Sequence, residues 1–197
     1  MKYLFSYLSQ FSDDEYKKAY ENLSENVKVR INRYKRDDDK KRSLSAHILL
    51  KKLMAENNIN AQLSYEENGR PFFENSEYFL SLSHSGEVAF SAVSKSPLGI
   101  DVEKIRPISK SLIDRVCVEE EKAYVLKDFV VEDEKKICEI DVLKRFFEIW
   151  TAKEAYFKIK GSGITDLKSV NTLTLKAESF QDEDYIFTML KDEVCHA

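Results

Sequence analysis

At 197 residues, 43% hydrophobic and 12% aromatic, the chain can bury a core of its own and is too apolar to be a disordered segment. A formal net charge of -4 gives no overall basic field, so nucleic acid is not expected as a partner. The three cysteines, Cys117, Cys138 and Cys195, are scattered and lack a CxxC spacing, which argues against a disulfide framework or zinc site and suits reduced thiols in a cytoplasm.

Residues 1–8 read as a strand, apolar but too short for a secretory leader, and Asp13, Asp14 and Glu15 follow at once. No apolar run approaches the roughly 20 residues that a membrane helix needs, so no membrane is expected. Ser12 and Glu15 predict a capped helix start, with Tyr16, Ala19, Tyr20 and Leu23 at helical spacing behind it. A second helix is expected over residues 43–57. Asn68-Gly69-Arg70-Pro71 is turn chemistry, and residues 78–83 and 88–93 alternate like strands around a Ser85-Gly86 turn. A short strand over 100–103 precedes helices over 111–127 and 142–160, the latter stopped near Gly161. Residues 131–136 read as an exposed loop. The tail holds two β-prone runs, 171–175 and 185–190, joined by a polar turn. Helices and antiparallel strands in both halves indicate an α+β fold, with no sequence repeat to mark equivalent units.

Four features carry chemistry. In Gly99-Ile100-Asp101-Val102-Glu103, strand alternation puts Asp101 and Glu103 on one face, where two repelling carboxylates suit magnesium, or form a plain acidic edge. In the helix after Trp150, positions four apart align Trp150, Glu154 and Lys158, which offers a third carboxylate and a cation, or an ordinary surface ion pair. In Ser81-Leu82-Ser83-His84-Ser85, a histidine sits among small hydroxyls at a strand end, without the Gly-x-Ser-x-Gly elbow of a hydrolase. A basic stretch with Arg30, Arg33, Lys35, Arg36, Lys40, Lys41 and Arg42 can grip several phosphates or form a solvated helical face.

Taken in order, Gly69-Arg70-Pro71, the Ser-His-Ser of residues 83–85, Gly-Ile-Asp-Val-Glu and Trp150-x-x-Lys153-Glu154-x-x-x-Lys158 closely resemble the phosphopantetheinyl transferase family, in its larger Sfp-like type. The resemblance implies transfer of 4'-phosphopantetheine from coenzyme A to a serine of an apo acyl or peptidyl carrier protein, leaving 3',5'-ADP. The holo-[acyl-carrier-protein] synthase type of enzyme is the corresponding activity. It further implies Mg2+ held by Asp101, Glu103 and Glu154, with Glu154 also deprotonating the carrier serine directly or through water. Lys158 would serve the departing bisphosphate. His84 and Ser83 would touch the phosphates, Arg42, Ser43, Arg70 and Arg30 would grip the nucleotide end, and Lys153 would belong to the cofactor-binding block. The implied fold is two similar lobes in pseudo-twofold arrangement, residues 1–98 and 99–197, in a cytoplasmic monomer with coenzyme A in the cleft. The carrier is expected near residues 105–127, steered by Lys104, Arg106, Lys110 and Arg115. Rival readings are a metal-dependent nucleotide phosphohydrolase and a non-enzymatic coenzyme A or carrier-protein binding module.

Overall fold

The computed structural model describes residues 1–127, 129–130, 136–161, 163 and 166–192. Strand β1 (Lys2–Tyr7) leads into helices α1 (Asp13–Glu21), α2 (Glu25–Asn32) and α3 (Asp37–Glu56). Two hairpins follow, β2 (Gln62–Tyr65) with β3 (Pro71–Glu74), and β4 (Phe79–Ser85) with β5 (Val88–Ser94). The second half runs through β6 (Leu98–Lys104), the two-residue β7 (Ile108–Ser109), α4 (Lys110–Val116), α5 (Glu119–Val125) and the two-residue β8 (Lys136–Ile137). It closes with the long helix α6 (Ile140–Lys160) and the hairpin β9 (Glu178–Asp182) and β10 (Tyr185–Lys191). The mixture is α+β, as expected.

Two antiparallel three-stranded sheets organise these elements, in the orders β1-β5-β4 and β6-β10-β9. Each sets the first strand of its half beside the last and carries a long helix, α3 over β5 and β1, α6 over β6 and β10. The strand orders therefore repeat although the sequence does not. An aromatic core joins the sheets: Phe187 stacks on Phe180 at 4.7 Å, lies 4.7 Å from Phe5, and meets Phe90 edge-on at 5.3 Å. Phe90 and Phe187 are fully buried, each contributing roughly 1.5–3 kcal/mol by burial.

Local chemistry explains where elements begin and end. Ser12 Oγ accepts from the Glu15 amide at 3.2 Å while Glu15 Oε2 accepts from the Ser12 amide at 2.8 Å, the expected capping box of α1. Helix α3 starts at Asp37 rather than residue 43, because Asp37, Asp38 and Asp39 occupy its first turn and favour the positive end of the helix dipole. Part of the basic stretch just before it forms α2, a helix that composition did not announce. The single helix expected over 111–127 is two, broken at Cys117 and Val118, which are both extended. Glu121 Oε2 accepts the Val118 amide at 3.0 Å and restarts the helix there. Gly161, at φ +67°, ends α6 as expected. Residues 171–175 do not form the expected strand. The Asn171 side chain accepts from the Leu173 amide at 3.1 Å and curls the chain into a 3-10 turn, so β10 pairs with β9, in the stretch expected to be a turn. Most of the loop expected over 131–136 lies outside the described residues.

Candidate active site

A cavity of about 530 Å³ opens where β4, β6, α3 and α6 meet. Its acidic wall depends on how closely α6 approaches β6. A Cβ on Gly99 would lie 1.8 Å from the Ala155 carbonyl oxygen, so only glycine admits the helix at this distance. That approach sets Glu154 and Lys158 against the face of β6 that carries Asp101 and Glu103. Lys158 Nζ donates to Asp101 Oδ1 at 2.8 Å and to the Ile100 carbonyl at 2.9 Å. Ser83 Oγ donates to the same Oδ1 at 2.6 Å. Asp101 Oδ2 is buried and has no hydrogen-bond partner among the described residues. Glu103 Oε2 accepts from Ser85 Oγ and from Arg106 Nη1, both at 2.9 Å. Burial, and then the negative charge of Asp101, push the Glu154 carboxyl up to about 7; Lys158 opposes the rise and Glu103 adds to it.

The opposite wall is basic. The Arg30 guanidinium lies over the Tyr65 ring at 4.6 Å. Gly69, at φ +87°, passes so close that a Cβ would sit 2.6 Å from Arg30 Nη1. Arg70 lies beside Gly161, and Asn68 Nδ2 donates to the Gly161 carbonyl at 2.9 Å, tying the β2–β3 turn to the end of α6. Below Arg30, His47 is buried and held toward its neutral form, with Nδ1 2.7 Å from the Ser43 carbonyl and Nε2 2.8 Å from Tyr65 Oη. A carbonyl only accepts, so Nδ1 carries the proton and the Tyr65 hydroxyl donates to Nε2. Burial likewise pushes the Tyr65 phenol up to about 12. At His84, burial and then the charges of Lys158 and Arg42 favour the neutral imidazole.

Residues 97–194 match the family model described as the 4'-phosphopantetheinyl transferase superfamily, and residues 10–96 match the model described as 4'-phosphopantetheinyl transferase, N-terminal. The chain belongs to the 4'-phosphopantetheinyl transferase superfamily. Its resemblance is to the Sfp-like members. It is 29% identical to the 4'-phosphopantetheinyl transferase gsp of Aneurinibacillus migulanus over 73% of this chain and 58% of that protein. It is 34% identical to the transferase psf-1 of Bacillus pumilus over 51% of this chain and 40% of that protein. It is 23% identical to the transferase Sfp of Bacillus subtilis over 78% of this chain and 67% of that protein. The alignments thus span roughly two fifths to two thirds of these relatives' lengths.

Within this transferase-family chain, one cavity gathers Arg30, Ser43, Arg70, Ser83, His84, Asp101, Glu103, Glu154 and Lys158. Two residues expected at the cofactor do not line it. Arg42 turns aside to pair with Asp39 and donates to the Gly86 carbonyl at 3.0 Å. Lys153 is fully buried on another side of α6 in an ion pair with Glu121 at 2.8 Å, because consecutive helical residues diverge by about 100°. Ser83 lines the cavity, but its one proton is committed to Asp101, which leaves no donor for a phosphate while that contact stands. His47, Tyr65, Tyr34 and Asn68 are additional wall residues. His47 follows Ser43 by four positions, one helical turn, and that spacing was the available signal. Among the described residues, no three histidine, cysteine, aspartate or glutamate side chains already stand close enough to hold a metal ion.

Proposed function

We propose that the chain transfers 4'-phosphopantetheine from coenzyme A to a serine of an apo carrier protein, as a holo-[acyl-carrier-protein] synthase type enzyme. The observation that carries this reading is the single cavity that faces three carboxylates across to Arg30 and Arg70, in a chain of this family. In the reaction, the serine oxygen bonds to the phosphorus bearing pantetheine. The bond from that phosphorus to the bridging oxygen of the pyrophosphate breaks, and its electron pair leaves with 3',5'-ADP. Glu154 takes the serine proton, directly or through a water. Lys158 meets the charge on the leaving group, while Arg30, Arg70, His84 and Ser43 orient the nucleotide end.

The donors suit Mg2+. Asp101 brings a buried oxygen without a partner, and Glu103 and Glu154 face the same cavity. Lys158 and Arg106 each hold one oxygen of the set, and magnesium keeps several water and phosphate ligands, so a closed protein cage is not required. When bound, the ion supplies positive charge against the pyrophosphate. Residues 1–98 and 99–197 would act as two lobes of a cytoplasmic monomer. The matching strand orders support that division. Neither rival reading, phosphohydrolase or binding module, draws support from the relatives' names.

The deciding experiment is the intact mass of an apo acyl carrier protein incubated with this protein, coenzyme A and magnesium. A gain of one phosphopantetheinyl group, abolished by EDTA and by Asp101→Ala, is expected. No gain with either an acyl or a peptidyl carrier sinks the reading. For docking, charge reversal at Lys110 and Arg115 is expected to raise the carrier KM several-fold and to spare the coenzyme A KM. An unchanged carrier KM would remove that surface from the interface.

A further inference from the structure

The two sheets meet along β4 and β6, each an edge strand of its own sheet. No backbone ladder joins these edges, and an unpaired buried edge is costly. Instead, alternate serines of β4 receive alternate amides of β6. Ser81 Oγ accepts from the Ile100 amide at 3.1 Å, Ser83 Oγ from Val102 at 3.4 Å and Ser85 Oγ from Lys104 at 3.2 Å. The residue offset is 19 in all three, so the contact is a register rather than a coincidence of one pair.

Two of these hydroxyls do a second job. Ser83 Oγ donates to Asp101 Oδ1 at 2.6 Å and Ser85 Oγ donates to Glu103 Oε2 at 2.9 Å. A backbone carbonyl in the same place accepts but cannot donate, so direct strand pairing would satisfy the amides and leave both carboxylates unaimed. Only a hydroxyl satisfies an amide of β6 and orients a carboxylate of β6 at once. Ser83 thereby fixes Asp101, which lines the cavity and keeps Oδ2 buried without a partner.

We propose that Ser81, Ser83 and Ser85 form a hydroxyl ladder that replaces strand pairing at the seam, and that Ser83 and Ser85 are positioning residues for the metal carboxylates Asp101 and Glu103. The proposal rests on the metal reading of those carboxylates given above. Its seam component stands without it. Oriented partners behind metal ligands are typically worth 10–100-fold in metal affinity.

Native-state hydrogen exchange on the metal-free protein tests the seam. Ser81→Ala and Ser85→Ala are expected to speed exchange of the Ile100 and Lys104 amides, respectively, by about tenfold, with distant β5 amides unmoved. Calorimetric titration with Mg2+ alone, checked by Mn2+ electron paramagnetic resonance, tests the positioning. Ser85→Ala is expected to weaken binding about tenfold and lower kcat, while the coenzyme A KM stays within about threefold; Ser85→Thr, which keeps the hydroxyl, restores both. Ser91→Ala removes a buried hydroxyl of β5 that donates to the Ala46 carbonyl of α3 and serves as the structural control, lowering stability without changing metal affinity. Unchanged exchange at Ile100 and Lys104 overturns the ladder. Altered exchange with unaltered metal affinity in Ser85→Ala overturns the positioning role. A wild-type protein that binds no divalent ion overturns it too, by removing the metal reading, and leaves the ladder to the exchange result.

Discussion

Lys153 and Glu154 are adjacent in sequence, and the two sides of α6 that they face treat charge in opposite ways. On one side, Lys153 Nζ lies 2.8 Å from Glu121 Oε2 and donates to the carbonyls of Leu167 and Val170 at 2.8 and 2.6 Å. Glu121 Oε1 in turn accepts from the Thr172 amide at 2.7 Å and its hydroxyl at 2.8 Å. Both side chains are 0% exposed, and each of their polar atoms has a partner. On the other side, Asp101 keeps a buried oxygen without a partner and Glu154 is pushed up to about 7. Buried charge is tolerated when its hydrogen bonds are complete, as at Lys153. An incomplete network in an open cavity is what the proposed metal and substrate would complete. The difference separates a buried pair whose hydrogen bonds are complete from a set of cavity carboxylates whose hydrogen bonds are not.

The largest way to break this comparison is to remove one member of the complete pair. Lys153→Met leaves Glu121 buried without its cation and is expected to cost about 3–5 kcal/mol in urea unfolding. A loss below about 1 kcal/mol would mean that the pair does not hold the helix. The incomplete side should respond with the opposite sign. The Glu154 carboxyl takes up its proton more tightly when folded, so between its ordinary range near 4.5 and about 7 the native state binds more protons than the unfolded chain. Its contribution is favourable at the acid end and lost as pH rises through 7. In EDTA, Glu154→Gln is therefore expected to match the wild type near pH 4.5 and to exceed it at pH 8 by on the order of 2 kcal/mol. Thermal unfolding of the two proteins across that range provides the check, and a variant less stable at pH 8 would contradict the assigned burial. By the same sign, magnesium binding should weaken as pH falls below 7, because the ion displaces that proton. The variant should lose transfer by at least about a hundredfold despite its added stability.

The cavity side was the legible one. Strand alternation put Asp101 and Glu103 on one face, and four-residue spacing aligned Glu154 with Lys158, so local geometry alone sufficed. The direction of Lys153 was not available in that way. Helix α6 buries Phe146, Phe147, Ile149, Ala152, Ala155 and Phe157 around much of its circumference, so no apolar stripe marks which neighbour faces the cavity. Its partner Glu121 lies 51 residues from Thr172, and the contact exists only once the chain has folded between them. The same holds for the ladder, whose serines read locally as a ligand-binding cluster and meet their amides 19 residues away. The turn at residues 172–174 escaped for a different reason: a single asparagine side chain overrode the β propensity of its neighbours.

The smallest expected effect comes from the basic wall, where both ring nitrogens of His47 have partners. Tyr65 serves that wall twice, as a ring under Arg30 and as the donor to His47 Nε2. Tyr65→Phe keeps the ring and removes the donor. The buried imidazole then loses one partner while Nδ1 stays on the Ser43 carbonyl, at an expected cost of about 1 kcal/mol. If the ring is what holds Arg30, the coenzyme A KM should change by less than about threefold, because cation–π attraction survives the loss of the hydroxyl. A tenfold rise would show instead that the hydrogen-bonded chain from Ser43 through His47 to Tyr65 sets the position of the guanidinium. The wall would then be part of the machinery rather than its support, and the contrast between the two sides of the molecule would hold only for the acidic face.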